Sequence, residues 1–200
     1  MNIDGVERKS QPNDKRICIK SETFYLNGAQ GVRLFTEKWY TTENVKVKGI
    51  IQIAHGMGET TDYYREFSEE IVKAGFIVYM NEARGHGRTA GVITDLDYVE
   101  NAGYLGEDGI NLLVEDLKLL TDIIKNRNPG LPVFLLGHSL GSVLAQIYAY
   151  KYGNCIEGII YSGTTGPINK EKIKELAEIV SEEVKRVGRK APSIETADFF

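Results

Sequence analysis

LPVFLLGHSLGSVLAQ, residues 131–146, joins three signals in one short stretch. Residues 133–137 form a continuous apolar run, the kind a strand carries when both faces of its sheet are covered. Gly137-His138-Ser139-Leu140-Gly141 follows. Val143, Leu144 and Ile147 then recur at helical spacing over 141–152. Glycine and serine are common, so a Gly-x-Ser-x-Gly pentad alone says little. Between a buried-type strand and a helix it marks a sharp strand-to-helix turn, and that turn implies a sheet backed by helices.

The neighbouring sequence repeats the pattern. GIIQIA (49–54), FIVYM (76–80) and IEGIIYS (156–162) are further short apolar runs that predict strands buried on both faces. Helical periodicity lies between them. Residues 62–74 align Tyr64, Phe67, Ile71 and Ala74, with Gly75 as a stop. Residues 107–126 align Ile110, Leu113, Val114, Leu117, Leu120 and Ile124, closing at Asn128-Pro129-Gly130. Strands alternating with helices predict βαβ units and right-handed crossovers. Upstream, RICIKSETFYL and GVRLFTEKWY alternate apolar and polar positions around Asn27-Gly28, a hairpin signal. The expected architecture is α/β, a three-layer α/β/α sandwich with a mostly parallel sheet and an antiparallel hairpin at one edge. Residues 1–15 read as a loose polar segment and 16–162 as the core. Residues 163–200 form a separate unit, with Ile173, Leu176, Val180, Val184 and Val187 at helical spacing in a Lys/Glu-rich stretch.

Composition limits the partners. Two hundred residues suffice for one domain with a sizeable core, and 42% apolar with 26% charged residues is ordinary for a soluble globular protein. A net charge of −4 with no basic cluster argues against nucleic acid, which requires a Lys/Arg stripe to displace counterions. Residues 1–16 have no apolar h-region, and no apolar run approaches the roughly 18 residues of a membrane span. Cys18 and Cys155 read as two reduced thiols, which favours a cytoplasmic setting.

The pentad carries chemistry in this context. A serine on a strained turn at a helix N-terminus is a nucleophile elbow, and the Leu140 N–H points where a developing oxyanion would sit. IAHGMGET (53–60) ends an earlier buried-type strand, and its His-Gly loop offers a second donor, the Met57 N–H. GHGRTAG (85–91) gives Gly-x-Gly-x-x-x-Gly, but it follows no first βα turn and opens no strong helix, so it does not read as a dinucleotide site.

HGMGE, then NEARGHGRTAG (81–91), then GHSLG resembles the monoacylglycerol lipase and lysophospholipase branch of the α/β-hydrolases, a serine aminopeptidase-like group, over residues 20–200. The resemblance implies the α/β-hydrolase fold with a helical cap inserted after the sixth strand, so that 163–200 would begin the cap. It also implies a small-molecule acyl ester as substrate, Ser139 as nucleophile, Met57 and Leu140 as oxyanion donors, and Glu59 at the substrate. No metal or organic cofactor is implied. Two departures stand out. Glu82-Ala83 replaces the Asp-His often found before Arg-Gly-His-Gly, and Thr60 and Tyr63 replace a His and a nearby Arg.

A serine hydroxyl needs a base oriented by a carboxylate, and in this fold the order is Ser, then acid, then His. His55, His86 and His138 all precede Ser139. His55 is expected to hold the oxyanion loop, His86 and Arg84 to organise the loop after residue 80, and His138 to point away from the Ser139 hydroxyl. No Ser-x-x-Lys follows Ser139. About six strands can be counted where the family core has eight, the last two carrying the acid and base. The expectation is therefore the N-terminal part of a longer enzyme, incomplete at its C-terminus and itself nearly inactive. The alternative is an inactive fragment that binds hydrophobic ligands. Residues 169–188 read as a cap helix that could touch a membrane surface transiently.

Overall fold

In a computed structural model of the chain, residues 17–92, 101–166 and 169–188 are described. Six strands form one sheet in the order β1-β2-β4-β3-β5-β6. They are β1 (Ile19–Asn27), β2 (Arg33–Thr41), β3 (Gly49–Ala54), β4 (Phe76–Asn81), β5 (Val133–His138) and β6 (Gly158–Ser162). β1 and β2 pair antiparallel, as do β2 and β4, while β3–β4, β3–β5 and β5–β6 are parallel. The α-helices among the described residues are α1 (Arg65–Lys73), a single turn α2 (Gly87–Ala90), α3 (Gly109–Arg127), α4 (Leu140–Tyr152) and α5 (Lys170–Val187).

Strand alternation builds the three layers. Ile50, Gln52 and Ala54 of β3 and Val133 and Leu135 of β5 face α3 and α4. On that side they pack with Leu113, Leu117, Leu120, Leu144 and Ala145. Ile51, Ile53, Val78, Met80 and Trp39 face the other way, against Val72 and Ile71 of α1. This is the α/β/α sandwich expected from the run pattern. All six residues of β3 are buried, as its central position requires. Gln52, the one polar residue in that strand, is satisfied. Its Nε2 donates to Leu117 O at 2.8 Å and its Oε1 accepts from Thr121 Oγ1 at 2.7 Å, while Tyr148 OH donates to Thr121 at 2.9 Å. A buried polar chain thus ties β3, α3 and α4 together.

Three local expectations need correction. β6 is not covered on both faces, because Ile160, Tyr161 and Ser162 are exposed at the sheet's outer edge. The hairpin expected around Asn27-Gly28 is present, by contrast, with residues 28–32 as its loop, Asn27 opposite Arg33 and a left-handed Gln30. The segment 62–74 starts as a 3-10 turn over Thr61–Tyr64, which rotates Phe67 out to solvent. Ile110 is exposed in the first turn of α3, outside the reach of the sheet. In α5, Val180 is exposed and Val184 half-buried. The expected loose segment 1–15 and residues 189–200 of the expected cap lie outside the described residues. No described helix is long and apolar enough to cross a membrane.

Candidate active site

The carboxyl ends of β3, β4, β5 and β6 converge at one rim, where open α/β sheets bind ligands. β5 delivers Ser139 there in a left-handed conformation, φ 50° and ψ −116°. For a residue with a Cβ this costs on the order of 1–3 kcal/mol, so the surroundings must enforce it. Ser139 N–H donates to Ser162 O at 2.9 Å, and Ser139 O accepts from Ser142 N at 2.9 Å and Ser142 Oγ at 2.6 Å. The flanking glycines let strand and helix cross. A Cβ on Gly141 would lie 2.0 Å from Ala54 O, and one on Gly137 would lie 2.3 Å from Gly141 O. Both contacts are with backbone and cannot be relieved by turning a side chain. Leu140 opens α4, so its N–H has no partner within the helix.

The loop after β3 lies against this serine. A Cβ on Gly56 would come within 3.3 Å of Ser139 Cβ, which places the Gly56-Met57 backbone beside the elbow. Glu59 closes the loop on itself. Its Oε2 accepts from Gly56 N at 2.7 Å and from Tyr64 OH at 2.6 Å. Burial, reinforced by the Glu59 bond, raises the Tyr64 pKa far above its ordinary value, so the phenol stays a donor. The Met57 side chain points to solvent.

His55 anchors the same loop. Its Nδ1 meets Gly56 O at 2.7 Å, and its Nε2 accepts from Ala83 N at 2.8 Å, which fixes the proton on Nδ1. Burial, opposed by the Gly56 bond and aided by the neighbouring His86, lowers its pKa to about 4. Neutral, and with both nitrogens engaged, His55 has no lone pair left for Ser139. His86 is also buried, with Nδ1 on Arg84 O at 3.0 Å and its ring edge-on to His55 at 5.0 Å. Arg84 binds Asp116 through Nε at 2.8 Å and Nη2 at 3.1 Å, and it donates to Ala29 O. These three residues hold loops, as the sequence reading expected.

His138 points away from the Ser139 hydroxyl. Its Nδ1 lies 3.2 Å from Ser162 Oγ and its Nε2 3.9 Å from Glu59 Oε1. Among the described residues, no side chain hydrogen-bonds Ser139 Oγ. Beside these groups runs an open groove of about 570 Å³, whose apolar walls are Tyr63, Phe67, Leu136 and Ile160.

Sequence reasoning missed one buried network. Glu82, fully buried at the end of β4, takes three donations from Arg88. Thr61 Oγ1 donates to buried Glu37 at 3.0 Å, and Arg65 lies 3.7 Å from the same carboxylate. Arg88 and Thr61 thus satisfy the buried Glu82 carboxylate. The spacing Glu82-x-x-x-x-x-Arg88 is the only local trace of it.

Comparison with known proteins follows the same lines. Residues 45–197 match the family model described as serine aminopeptidase, S33. The chain is 30% identical over 136 residues to a monoacylglycerol lipase of Mycolicibacterium smegmatis, covering 68% of this chain and 44% of that protein. It is 29% identical to a human monoglyceride lipase, again over 68% of this chain, and covers 41% of that protein. It thus spans less than half the length of these relatives. Among solved structures, a thermostable carboxyl esterase from Bacillus coagulans superposes with a TM-score of 0.66 at 26% identity, covering 88% of this chain and 60% of that one. A soluble variant of the Saccharomyces cerevisiae monoglyceride lipase superposes at 0.65 with 21% identity, covering 91% and 57%.

Proposed function

Because this chain belongs to the serine aminopeptidase S33 family of α/β-hydrolases, we propose that it is the nucleophile-bearing part of a carboxylic ester hydrolase. One observation carries the reading. Ser139 is held at a positive φ between β5 and α4, with the Gly56-Met57 loop packed against it. In the proposed reaction Ser139 Oγ attacks the ester carbonyl. The Met57 and Leu140 N–H groups stabilise the oxyanion, the alcohol leaves, and water releases the acid from the acyl-enzyme. The substrate is a monoacylglycerol or lysophospholipid-like acyl ester. Its acyl chain lies in the groove, where Glu59 meets the polar end with the carboxylate oxygen that the loop does not use.

The base and acid for Ser139 come, in this reading, from sequence following Phe200. Each of the three histidines has other partners, and the chain spans less than half the length of its relatives. Residues 16–162 are then the hydrolase core, and 163–200, with α5, begin its cap. The test is hydrolysis of a monoacylglycerol by a chain carried past Phe200 through an Asp and a His, with S139A beside it. Turnover falling at least roughly 1000-fold in S139A supports the reading; undiminished turnover overturns it. A second reading, a binding protein for apolar ligands, is favoured for the 200-residue chain alone by the unpartnered Ser139 hydroxyl beside an apolar groove.

A further inference from the structure

Ser162 ends β6 at the same rim, exposed, on the strand next to the elbow. Unlike Ser139, it has an imidazole in reach, with Oγ 3.2 Å from His138 Nδ1. The other ring nitrogen, Nε2, faces Glu59 Oε1 at 3.9 Å. That carboxylate cannot swing away, because its Oε2 is pinned by Gly56 N–H and Tyr64 OH at 2.7 and 2.6 Å. Hydroxyl, imidazole and carboxylate follow one another in the order that nucleophilic catalysis uses, at separations ordinary for a site without substrate. A carboxylate beside Nε2 favours the proton there, which leaves the Nδ1 lone pair for Ser162 Oγ–H. All three groups line the groove walled by Tyr63, Phe67, Leu136 and Ile160.

We propose that Ser162, His138 and Glu59 form a second acyl-accepting site, independent of Ser139, for small esters with an apolar acyl group. This goes beyond the Ser139 reading and does not require any residue past Phe200. Ser162 Oγ bonds to the ester carbonyl carbon while its proton passes to His138 Nδ1, and the carbonyl π pair moves onto oxygen. Collapse of that intermediate breaks the bond to the alkoxide, which takes the proton back from Nδ1 and leaves as an alcohol. Water, deprotonated by His138, then releases the acid and restores Ser162. Glu59 carries the countercharge while the imidazole is protonated.

The test is a fluorophosphonate probe, which loses fluoride to an activated serine, followed by tryptic mapping of the intact 200-residue chain. Cleavage after Arg127, Lys151 and Lys170 separates the two sites. Ser139 falls in the peptide 128–151, and Ser162 is the only serine of the peptide 152–170. The expected result is label on 152–170, lost in S162A and slowed roughly 100-fold in H138Q, as for loss of a general base. Wild-type protein with no label on 152–170 overturns the proposal, whether or not 128–151 is labelled. Labelling of Ser162 at an unchanged rate in H138Q overturns it as well. Because the two serines report on different peptides, failure of this site is distinguishable from failure of the Ser139 reading.

Discussion

His55 has both ring nitrogens engaged, and burial lowers its pKa from 6.5 to about 4. The unfolded chain therefore binds a proton below pH 6.5 that the folded chain refuses until about pH 4. Stability from this residue is fully present above pH 6.5, is lost as pH falls through that window, and changes no further below it. A shift of this size corresponds to about 3 kcal/mol. Urea unfolding at pH 7 and pH 4.5 checks it, with His55→Gln as the comparison. The wild type loses more stability between the two values than the variant, which has no imidazole to protonate. Gly141 makes a second demand at this scale. Gly141→Ala forces a Cβ to within 2.0 Å of Ala54 O, so strand and helix must separate. We expect a loss of about 3 kcal/mol or more, read from the urea midpoint, larger than a Gly-to-Ala change in an open helix could give.

Between elements, a buried ion pair links Arg84 with Asp116, 3% and 1% exposed, and joins the loop after β4 to α3 and, through Ala29, to the hairpin loop. Removing one partner strands a buried charge. Asp116→Ala is therefore expected to cost about 3–5 kcal/mol. A D116A and R84M double variant should recover part of that cost, since neither charge remains; thermal unfolding of the set decides. This scale also separates what could be read in the sequence from what could not. Apolar runs and helical stripes placed β3, β4, β5, α3 and α4, because alternation and periodicity are local consequences of burial. The run of β6 looks like the others, yet its last three residues are exposed in this chain, because burial at an edge depends on what lies beside the strand. The elbow was legible because strand, pentad and helix are contiguous. The Glu37-Thr61-Glu82-Arg88 network and the Ser162-His138-Glu59 cluster were not, because folding alone brings their distant positions together.

For the molecule as a whole, the reaction proposed for Ser139 divides into two tasks at the rim of the sheet. In the proposed reaction the oxyanion is bound by the Met57 and Leu140 N–H groups, whose backbone is held by the Gly141 crossing and by the Glu59-Tyr64 clasp, and that binding does not require a base. Activation of Ser139 does, and the described residues offer none. Oxyanion binding without a working triad leaves roughly 10³–10⁴-fold catalysis over water. The 200-residue chain is accordingly expected to hydrolyse an activated aryl ester slowly, measured in S162A so that the second serine does not contribute. Met57→Pro deletes one oxyanion donor and should lower that residual rate by about 10²-fold. Glu59→Gln, which weakens the clasp on Gly56 and Tyr64 without removing a donor, should lower it less. Initial rates on p-nitrophenyl butyrate, with folding checked by circular dichroism, provide the measurement. Equal rates in S162A and S162A/M57P would mean that the Gly56-Met57 loop does not serve the reaction, however closely it packs against Ser139.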